Sequence, residues 1–258
     1  MPKNMDQSIK LLDIKIDKLR ERRNGVEELE TQEGVLDKYT LETLYYMAKR
    51  RILTEINGVI STGKEANVYW GKNIKLDYAV KIFRTSTANF KAMQNYIRGD
   101  PRFKKIRRGT RPLIYAWALK EYKNLQRARA VGVRVPEPIS IKNNVLVMEF
   151  IGSGGRPAPL LKNAVLDSAQ ETYNEIYNFI KILYRRARLV HADLSEFNVM
   201  YNGVPILIDM SQSVLTSHPM AMEYLKRDIS VISKFFRSRN VDVPEDEKQF
   251  KDITGGVA

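Results

Sequence analysis

The chain predicts an α+β fold of two lobes, with a β-rich N-terminal lobe, a helical C-terminal lobe and extra helices in front. Three observations carry that prediction. Residues 58–83 contain three short apolar stretches separated by turn residues, the pattern of antiparallel strands. Residues 112–131 and 160–188 repeat apolar side chains at helical spacing. Apolar runs also flank Asn143-Asn144 and Asn202-Gly203, as in β-hairpins. The boundaries read as a helical extension over 1–40, an N-terminal lobe over 41–150 and a C-terminal lobe over 151–258.

In chain order, the first 30 residues place Ile9, Leu12, Ile16 and Leu19 three and four apart, which predicts an amphipathic helix closed by Asn24-Gly25. Such a helix either packs on the main body or binds a partner. A second helix is expected from Leu41 to Leu53, with Leu41, Leu44, Tyr45, Ala48 and Ile52 on one face and Asn57-Gly58 as its stop. Strands follow at Gly58–Ser61, Ala66–Trp70 and Tyr78–Phe83. The first two are joined by Ser-Thr-Gly-Lys-Glu-Ala-Asn. A loop of small residues between strands can lay backbone N–H groups on phosphates. Gly63 permits close approach there, Ser61 and Thr62 add hydroxyls, and Lys64 adds charge. Gly58 to Lys64 also fits G-x-x-x-x-G-K, but Glu65 stands where a P-loop needs Ser or Thr, and a strand follows instead of a helix. The P-loop NTPase reading is therefore rejected.

In the third strand Lys81 faces opposite to Val80 and Ile82. It is either a phosphate-binding lysine or a solvent-facing one. Residues 84–111 form a basic insert with weak periodicity, in which Phe90, Tyr96 and Phe103 interleave with Arg and Lys and only Asp100 opposes them. It reads as a long loop, either contacting RNA through backbone and stacked bases or simply solvated. The helix over Pro112–Val131 packs through Leu113, Trp117, Leu125 and Ala128. Glu121 in its middle is the candidate partner of Lys81, with a surface lysine as the alternative. A hairpin then runs into Glu149-Phe150-Ile151-Gly152, where Gly and Pro break the pattern. Backbone groups of Glu149 and Ile151 in this inter-lobe linker suit an adenine edge. Ile176, Phe179, Ile180 and Leu183 line the next helix, whose basic end (Arg185, Arg186, Arg188) complements the helix dipole. Pro219–Arg239 is expected as the last clear helix, with Asp228 either bracing the preceding loop or lying at the surface. The tail from Pro244 reads as frayed.

The chemistry concentrates in Leu189 to Gln212. Asp193 follows His191 as H-x-D, Asn198 comes five residues later, and the Asn202-Gly203 hairpin folds Asp209 back beside them. Two carboxylates and a carboxamide converge, all oxygen donors of the kind that suit Mg²⁺ or Mn²⁺. This is the layout of protein-kinase catalytic and metal-binding loops. In it Asp193 orients or accepts the nucleophile's proton, while Asn198 and Asp209 hold the metal on the nucleotide phosphates.

Bulk composition narrows the class. The 258 residues contain no cysteine, which excludes disulfides, zinc–thiolate sites and thiol nucleophiles, and fits a cytoplasmic setting. No run of about 18 apolar residues exists, and the N-terminus has no secretory pattern, so no membrane association is expected. A net charge of +13 points to a polyanion such as RNA, or to solubility alone.

In order and spacing these motifs resemble the RIO family of atypical protein kinases. Ser-Thr-Gly-Lys-Glu-Ala-Asn-Val-Tyr at 61–69 resembles the nucleotide loop of its type-1 branch, His-Ala-Asp-Leu-Ser-Glu-Phe-Asn at 191–198 its catalytic loop, and Ile-Asp-Met-Ser-Gln at 208–212 its metal-binding segment. The first residues are too few for the winged-helix domain of the type-2 branch. The resemblance spans about residues 40–240. It implies a two-lobed protein-kinase-like fold with a reduced C-lobe, binding ATP with Mg²⁺ or Mn²⁺. It also implies Lys81 on the phosphates with Glu121 as its partner, Asp193 as catalytic residue, Asn198 and Asp209 as metal ligands, and the backbone of Glu149 and Ile151 on adenine. The activity implied is that of an autophosphorylating serine/threonine kinase, an ATPase, or both, with the counterpart of Asp209 as a phosphoacceptor. The implied setting is maturation of the small ribosomal subunit, with pre-ribosomal RNA and a protein substrate as the partners to expect.

Two departures from ordinary protein kinases matter: one glycine in place of three in the phosphate loop, and only about ten residues between Asp209 and the final helix, too few for an activation segment. A small-molecule phosphotransferase and an RNA-binding assembly factor with a switch-like nucleotide site stand as alternatives.

Overall fold

A computed structural model describes residues 36–85, 90–97, 100–103 and 106–255. The amphipathic helix expected within the first 30 residues lies outside them. Helix α1, Lys38–Lys49, starts at Asp37, whose carboxylate accepts from the Thr40 amide at 2.8 Å. It ends with Arg51 at φ 57°, earlier than expected. Its buried side is Thr40, Thr43, Leu44 and Met47 rather than the Leu41–Tyr45–Ala48 face. Ile52 lies beyond the helix.

Five antiparallel strands follow in the order β1-β2-β3-β5-β4: β1 Glu55–Thr62, β2 Ala66–Lys72, β3 Asp77–Phe83, β4 Pro138–Lys142 and β5 Val145–Glu149. Asn57-Gly58 stops no helix. It lies inside β1, where the pairing register to β2 shifts between Ile56 and Val59, the signature of a bulge. β3 is central, and its alternation sorts two cores. Val80 and Ile82 pack with Leu44, Met47, Val145 and Val147 beneath α1, while Phe83 joins the larger core shared with the helices that follow. Each such fully buried aliphatic or aromatic side chain contributes about 1.5–3 kcal/mol relative to exposure.

The basic insert is not a plain loop. Phe90–Ile97 forms helix α2, and Pro101–Phe103 a turn of 3₁₀ helix, with Met93, Ile97 and Phe103 buried. Asp100 is also buried and grips Arg102 at 2.7 Å. Helix α3, Thr110–Ala130, packs across the sheet through Leu113, Trp117, Leu125 and Ala128. After β5 the chain makes a small hairpin, β6 Gly152–Ser153 with β7 Arg156–Pro157. Gly155 there, at φ 77°, lies against the Trp70 ring so closely that an added Cβ would sit 2.8 Å from it.

In the C-lobe, α4 (Ala169–Ile182) continues into a π-helical turn over Leu183–Ala187. Arg188, left-handed at φ 53°, then turns the chain into β8, Leu189–Val190. β9 (Val199–Tyr201) pairs with β10 (Pro205–Leu207), and β11 (Val214–Leu215) with β8. The β9–β10 turn uses positive φ at Gly203 alone, and Asn202 N–H reaches Val204 O. Helix α5, Ala221–Arg237, buries Leu225, Ile229, Ile232 and Phe236 in the larger core, where Phe236 meets the Tyr173 ring of α4 edge-on. The tail is not frayed: α6, Asp246–Thr254, buries Gln249, Phe250 and Ile253, and Asp252 pairs with Lys181. No helix among the described residues is long and apolar enough to cross a membrane.

Candidate active site

A cleft of about 680 Å³ opens between the five-stranded sheet and the β9–β10 hairpin. Ile60, Val68, Ala79, Met148, Leu160 and Ile208 give it apolar walls, and Lys81, Glu121, Asn198 and Asp209 form its polar end. Ser61, Gly63 and Lys64 of the β1–β2 loop line it, as do Glu149 and Ile151. Thr62 does not. It is the last residue of β1 paired to β2, opposite Asn67, and strand alternation turns its hydroxyl away from the side that Ser61 and Gly63 present.

Lys81 is 7% exposed and clamped on both sides. Its Nζ donates to Glu121 Oε1 and Oε2 at 2.9 and 2.8 Å and to Asp209 Oδ1 at 2.9 Å. Burial alone would drive the proton off Lys81, but Asp209 and Glu121 outweigh it and raise its pKa. Asp209 moves the other way: against burial, Lys81 and the Ser211 hydroxyl at 2.7 Å hold it down to about 2. Burial pushes Glu121 upward against the pull of Lys81. The trio sets one buried lysine between two carboxylates and opens to the cleft on the Asp209 side.

The hairpin explains how Asp209 arrives. β9 and β10 pair in register, Ile208 N–H closes the ladder on Asn198 O at 3.0 Å, and the next residue, Asp209, takes a left-handed φ of 58°. Such a backbone in a non-glycine residue is uncommon, and here it turns the carboxylate back to Lys81. Asn198 Nδ2 donates to Asp193 O at 2.7 Å and more weakly to its Oδ2 at 3.3 Å. Both amide donors therefore face Asp193, which leaves Asn198 Oδ1 as the atom for a cation. With Asp209 this makes a hard oxygen donor set that fits Mg²⁺ or Mn²⁺. No cluster of three or more His, Cys, Asp or Glu around a metal-sized space exists among the described residues, so an ion here would share its coordination with phosphates and water. Asp193 stands at the margin of the cleft, tied to it through Asn198 and through Gln212 Nε2 at 3.0 Å. Burial and neighbouring Asp209 raise its pKa, while Arg227 opposes them.

Three supports lie behind these groups. Asp228, buried, accepts from Ala192 N at 2.7 Å and Leu194 N at 3.0 Å, which is the bracing alternative rather than a surface role. His191 Nε2 meets Ile208 O at 3.1 Å and so ties the two loops together. Sequence reasoning missed the third support. Lys120, fully buried, donates to Ser211 O and Ser213 O at 2.7 and 2.5 Å, and Asn124 Nδ2 to Met210 O and Ser213 O at 2.9 and 3.0 Å. Together they hold the segment after Asp209. Lys120 precedes Glu121 on α3, but nothing in its spacing announced that role. Gln212 and Arg227 were missed as well, although Gln212 lies inside the segment already singled out.

The linker has its own logic. Glu149 N–H donates to Glu137 O at 2.8 Å, but Glu137 N–H donates to the Glu149 carboxylate at 3.1 Å instead of returning to its carbonyl. Arg134 fixes that carboxylate with two bonds of 2.7 and 2.6 Å. Ile151 O is taken by Ala158 N–H at 2.9 Å. The Glu149 carbonyl and the Ile151 N–H are thus the linker groups left for a planar, hydrogen-bonding ligand.

Comparison with known proteins bears on the family and the fold. The family model described as RIO domain matches residues 67–250. The chain is 43% identical over 230 residues to human serine/threonine-protein kinase RIO1, covering 87% of this chain and 40% of that protein. It is 42% identical over 246 residues to serine/threonine-protein kinase RIO1 of Caenorhabditis elegans, covering 93% and 49%. Against RIO-type serine/threonine-protein kinase Rio1 of Methanocaldococcus jannaschii it is 41% identical over 238 residues, covering 92% and 81%. The chain therefore spans less than half the length of the human and nematode relatives. A crystal structure of the Rio2 kinase from Chaetomium thermophilum, in an ADP/Mg²⁺-phosphoaspartate complex, superposes with a TM-score of 0.64 at 24% identity, covering 83% of this chain and 65% of that one. A second crystal structure of that kinase gives 0.66 at 24% identity, covering 86% and 70%. The fold is thus the two-lobed, kinase-like α+β fold, and the chain belongs to the RIO family, in its type-1 branch.

Proposed function

We propose that the chain is an ATP-dependent serine/threonine kinase of RIO type that also hydrolyses ATP. One observation carries this reading: Lys81 is held at 2.8–2.9 Å between Glu121 and Asp209 at the polar end of an otherwise apolar cleft. In this reading adenine enters between the apolar walls, accepting from Ile151 N–H and donating to the Glu149 carbonyl. The Ser61–Lys64 loop covers the phosphates, and Lys81 turns a donor to them while Glu121 fixes its direction. Asn198 Oδ1 and Asp209 hold Mg²⁺, or Mn²⁺, which neutralises charge on the phosphate oxygens. Asp193 receives the proton of the attacking hydroxyl.

A second reading has a specific motive. The segment from Asp209 to α5 holds only β11 and a short turn, so no activation segment is present to seat a peptide. The Rio2 kinase crystal structure contains a phosphoaspartate. Asp209 itself is then the acceptor: its carboxylate oxygen bonds the γ-phosphorus as the bond to the β–γ bridging oxygen breaks and ADP leaves. Water later cleaves the acyl phosphate. Hydroxylamine-labile phosphate on Asp209 supports this route, and acid-stable, hydroxylamine-resistant phosphate confined to serine contradicts it.

The small ribosomal subunit is the proposed setting, in the cytoplasm, with ribosomal RNA as the polyanion that a net charge of +13 would meet. The test of the core reading is turnover of ATP by Asp193→Asn and Asp209→Asn, with and without a chelator. Both substitutions and metal removal are expected to reduce it by about 10³-fold or more. Wild-type turnover in either variant contradicts the reading.

A further inference from the structure

Beside Asp193 stands a cation that the reading above does not use. Arg227, on the second turn of α5, places Nη2 3.9 Å from Asp193 Oδ1. That is too long for a charge-assisted hydrogen bond, which falls near 2.7–2.9 Å. Most ion pairs among the described residues close, Lys81 at 2.8 Å, Arg134 at 2.6 Å and Arg102 at 2.7 Å, with Arg185 also standing off Asp252 at 3.6 Å. Here both partners stay open, with 46% of the Arg227 side chain and 42% of the Asp193 side chain exposed.

The guanidinium is nonetheless aimed. It donates to Ala192 O in the catalytic loop and lies 5.4 Å from the centre of the Tyr224 ring. Tyr96 in turn stacks on Tyr224 at 5.4 Å. The fork carries five donors, more than these contacts use, and its Nη2 lies on the Asp193 side. Kept only to brace the loop, a positive charge there would weaken Asp193 as a proton acceptor.

The local charge balance gives it a use. Residues 191–198 contain one basic side chain, His191, which is buried and kept neutral. Lys81 is engaged by two carboxylates and Lys120 by two carbonyls. Asp193 and Asp209 add negative charge where a transferring phosphoryl group also brings it.

We propose that Arg227 is a further catalytic residue, donating N–H bonds to the non-bridging oxygens of the phosphoryl group in transit. This rests on the phosphoryl-transfer reading above. In the step, the acceptor oxygen bonds the γ-phosphorus, and the bond from phosphorus to the β–γ bridging oxygen breaks, its electron pair leaving with ADP. The acceptor's proton passes to Asp193. Arg227 changes neither charge nor bonding; it offsets the charge gathered on the equatorial oxygens.

The test compares Arg227→Gln, Arg227→Lys and Asp193→Asn in the same chain, by ATP turnover and by Mg²⁺-dependent binding of ADP and of a non-hydrolysable ATP analogue. Glutamine keeps a donor for Ala192 O but removes the charge, so a loop-bracing role would survive it. Arg227→Gln is expected to lower kcat by about 10²–10³-fold. It should weaken the triphosphate analogue by about tenfold and leave ADP within about twofold, since ADP lacks the group that Arg227 contacts. If Arg227→Gln melts early, Arg227→Lys decides: it keeps the charge, loses the fork, and is expected near a tenth of wild-type turnover with ADP binding unchanged. Turnover within about threefold of wild type in the folded variant, beside an inactive Asp193→Asn, overturns the proposal. Equal weakening of ADP and triphosphate overturns it too. Full turnover in Asp193→Asn sinks the phosphoryl-transfer reading itself, and this assignment with it.

Discussion

Lys81 and Arg227 are both cations beside carboxylates of the candidate site, yet the fold holds them in opposite ways. Lys81 comes from the central strand, is nearly fully buried, and is saturated by Glu121 and Asp209. Arg227 comes from an exposed helix face, is half open, and stands off its carboxylate by 3.9 Å. A closed trio arranged before any ligand arrives suits a partner that is always the same, here the phosphates of one nucleotide. A loose pair suits the side of the site where the acceptor varies or moves. Preorganisation is concentrated where reorganisation during the reaction would cost most.

The comparison breaks most readily at Lys81. Lys81→Met strips two carboxylates of a shared counter-ion, one of them Glu121, which is fully buried. Turnover is expected to fall by about 10³-fold or more, and stability by about 3–5 kcal/mol, as measured by ATP assay and urea melt. A variant as stable as wild type would show the trio to be less tightly coupled than its distances indicate.

Next in size is Asp228. Asp228→Ala leaves the buried amides of Ala192 and Leu194 without acceptors, at a cost of about 1–3 kcal/mol for each. Asp228→Asn keeps one acceptor oxygen and should recover about half of that loss. Since Asp228 holds the loop that also carries Asp193 and the Arg227 anchor Ala192, kcat is expected to fall with stability, while ADP binding at the Lys81 side changes little.

Protonation sharpens the contrast further. Burial holds His191 well below its ordinary value, at about 4, and neutral. The unfolded chain titrates near 6.5, so between pH 6.5 and 4 it binds the extra proton and the folded state does not. The contribution of His191 is therefore present above pH 6.5 and fades as pH falls, by up to roughly 3 kcal/mol. Asp228 acts in the reverse sense in the same window, because burial raises it to about 7 and the folded state takes the proton first. Comparing His191→Gln with wild type cancels that term: the variant should lose less stability between pH 6.5 and 4.5 in chemical melts. Parallel curves would contradict the buried neutral histidine. At the small end, Arg129 and Glu137 pair at 3.0 Å but are each about half exposed, and Arg129→Ala should shift stability by less than about 0.5 kcal/mol.

The same two cations show what the sequence could reveal. Lys81, Asp193, Asn198 and Asp209 are legible because their chemistry demands fixed residue types at short spacing within single motifs. Glu121 is legible by position, in the middle of the helix that must cross the lysine-bearing strand. Arg227, Lys120 and Asn124 act across the fold at sequence distances of about 35–90 residues, and no local pattern marks them. The strands read well because alternation is strong. Asn57-Gly58 misled because a bulge needs the same residues as a turn. Helix α2 escaped because it is eight residues long and Gln94 and Asn95 interrupt its apolar pattern, although Phe90, Met93 and Ile97 do keep helical spacing. Helix α6 escaped for a similar reason: it is nine residues long, follows Pro244, and buries only Gln249, Phe250 and Ile253.

The central claim is that Lys81, Asn198 and Asp209 form one nucleotide-phosphate site. A crystal structure with Mg²⁺ and a non-hydrolysable ATP analogue tests it most directly. The account predicts the adenine edge on Glu149 O and Ile151 N, phosphate oxygens within hydrogen-bonding distance of Lys81 Nζ, and the cation joined to Asn198 Oδ1 and Asp209. Triphosphate bound elsewhere, or a cation coordinated without either side chain, would contradict it.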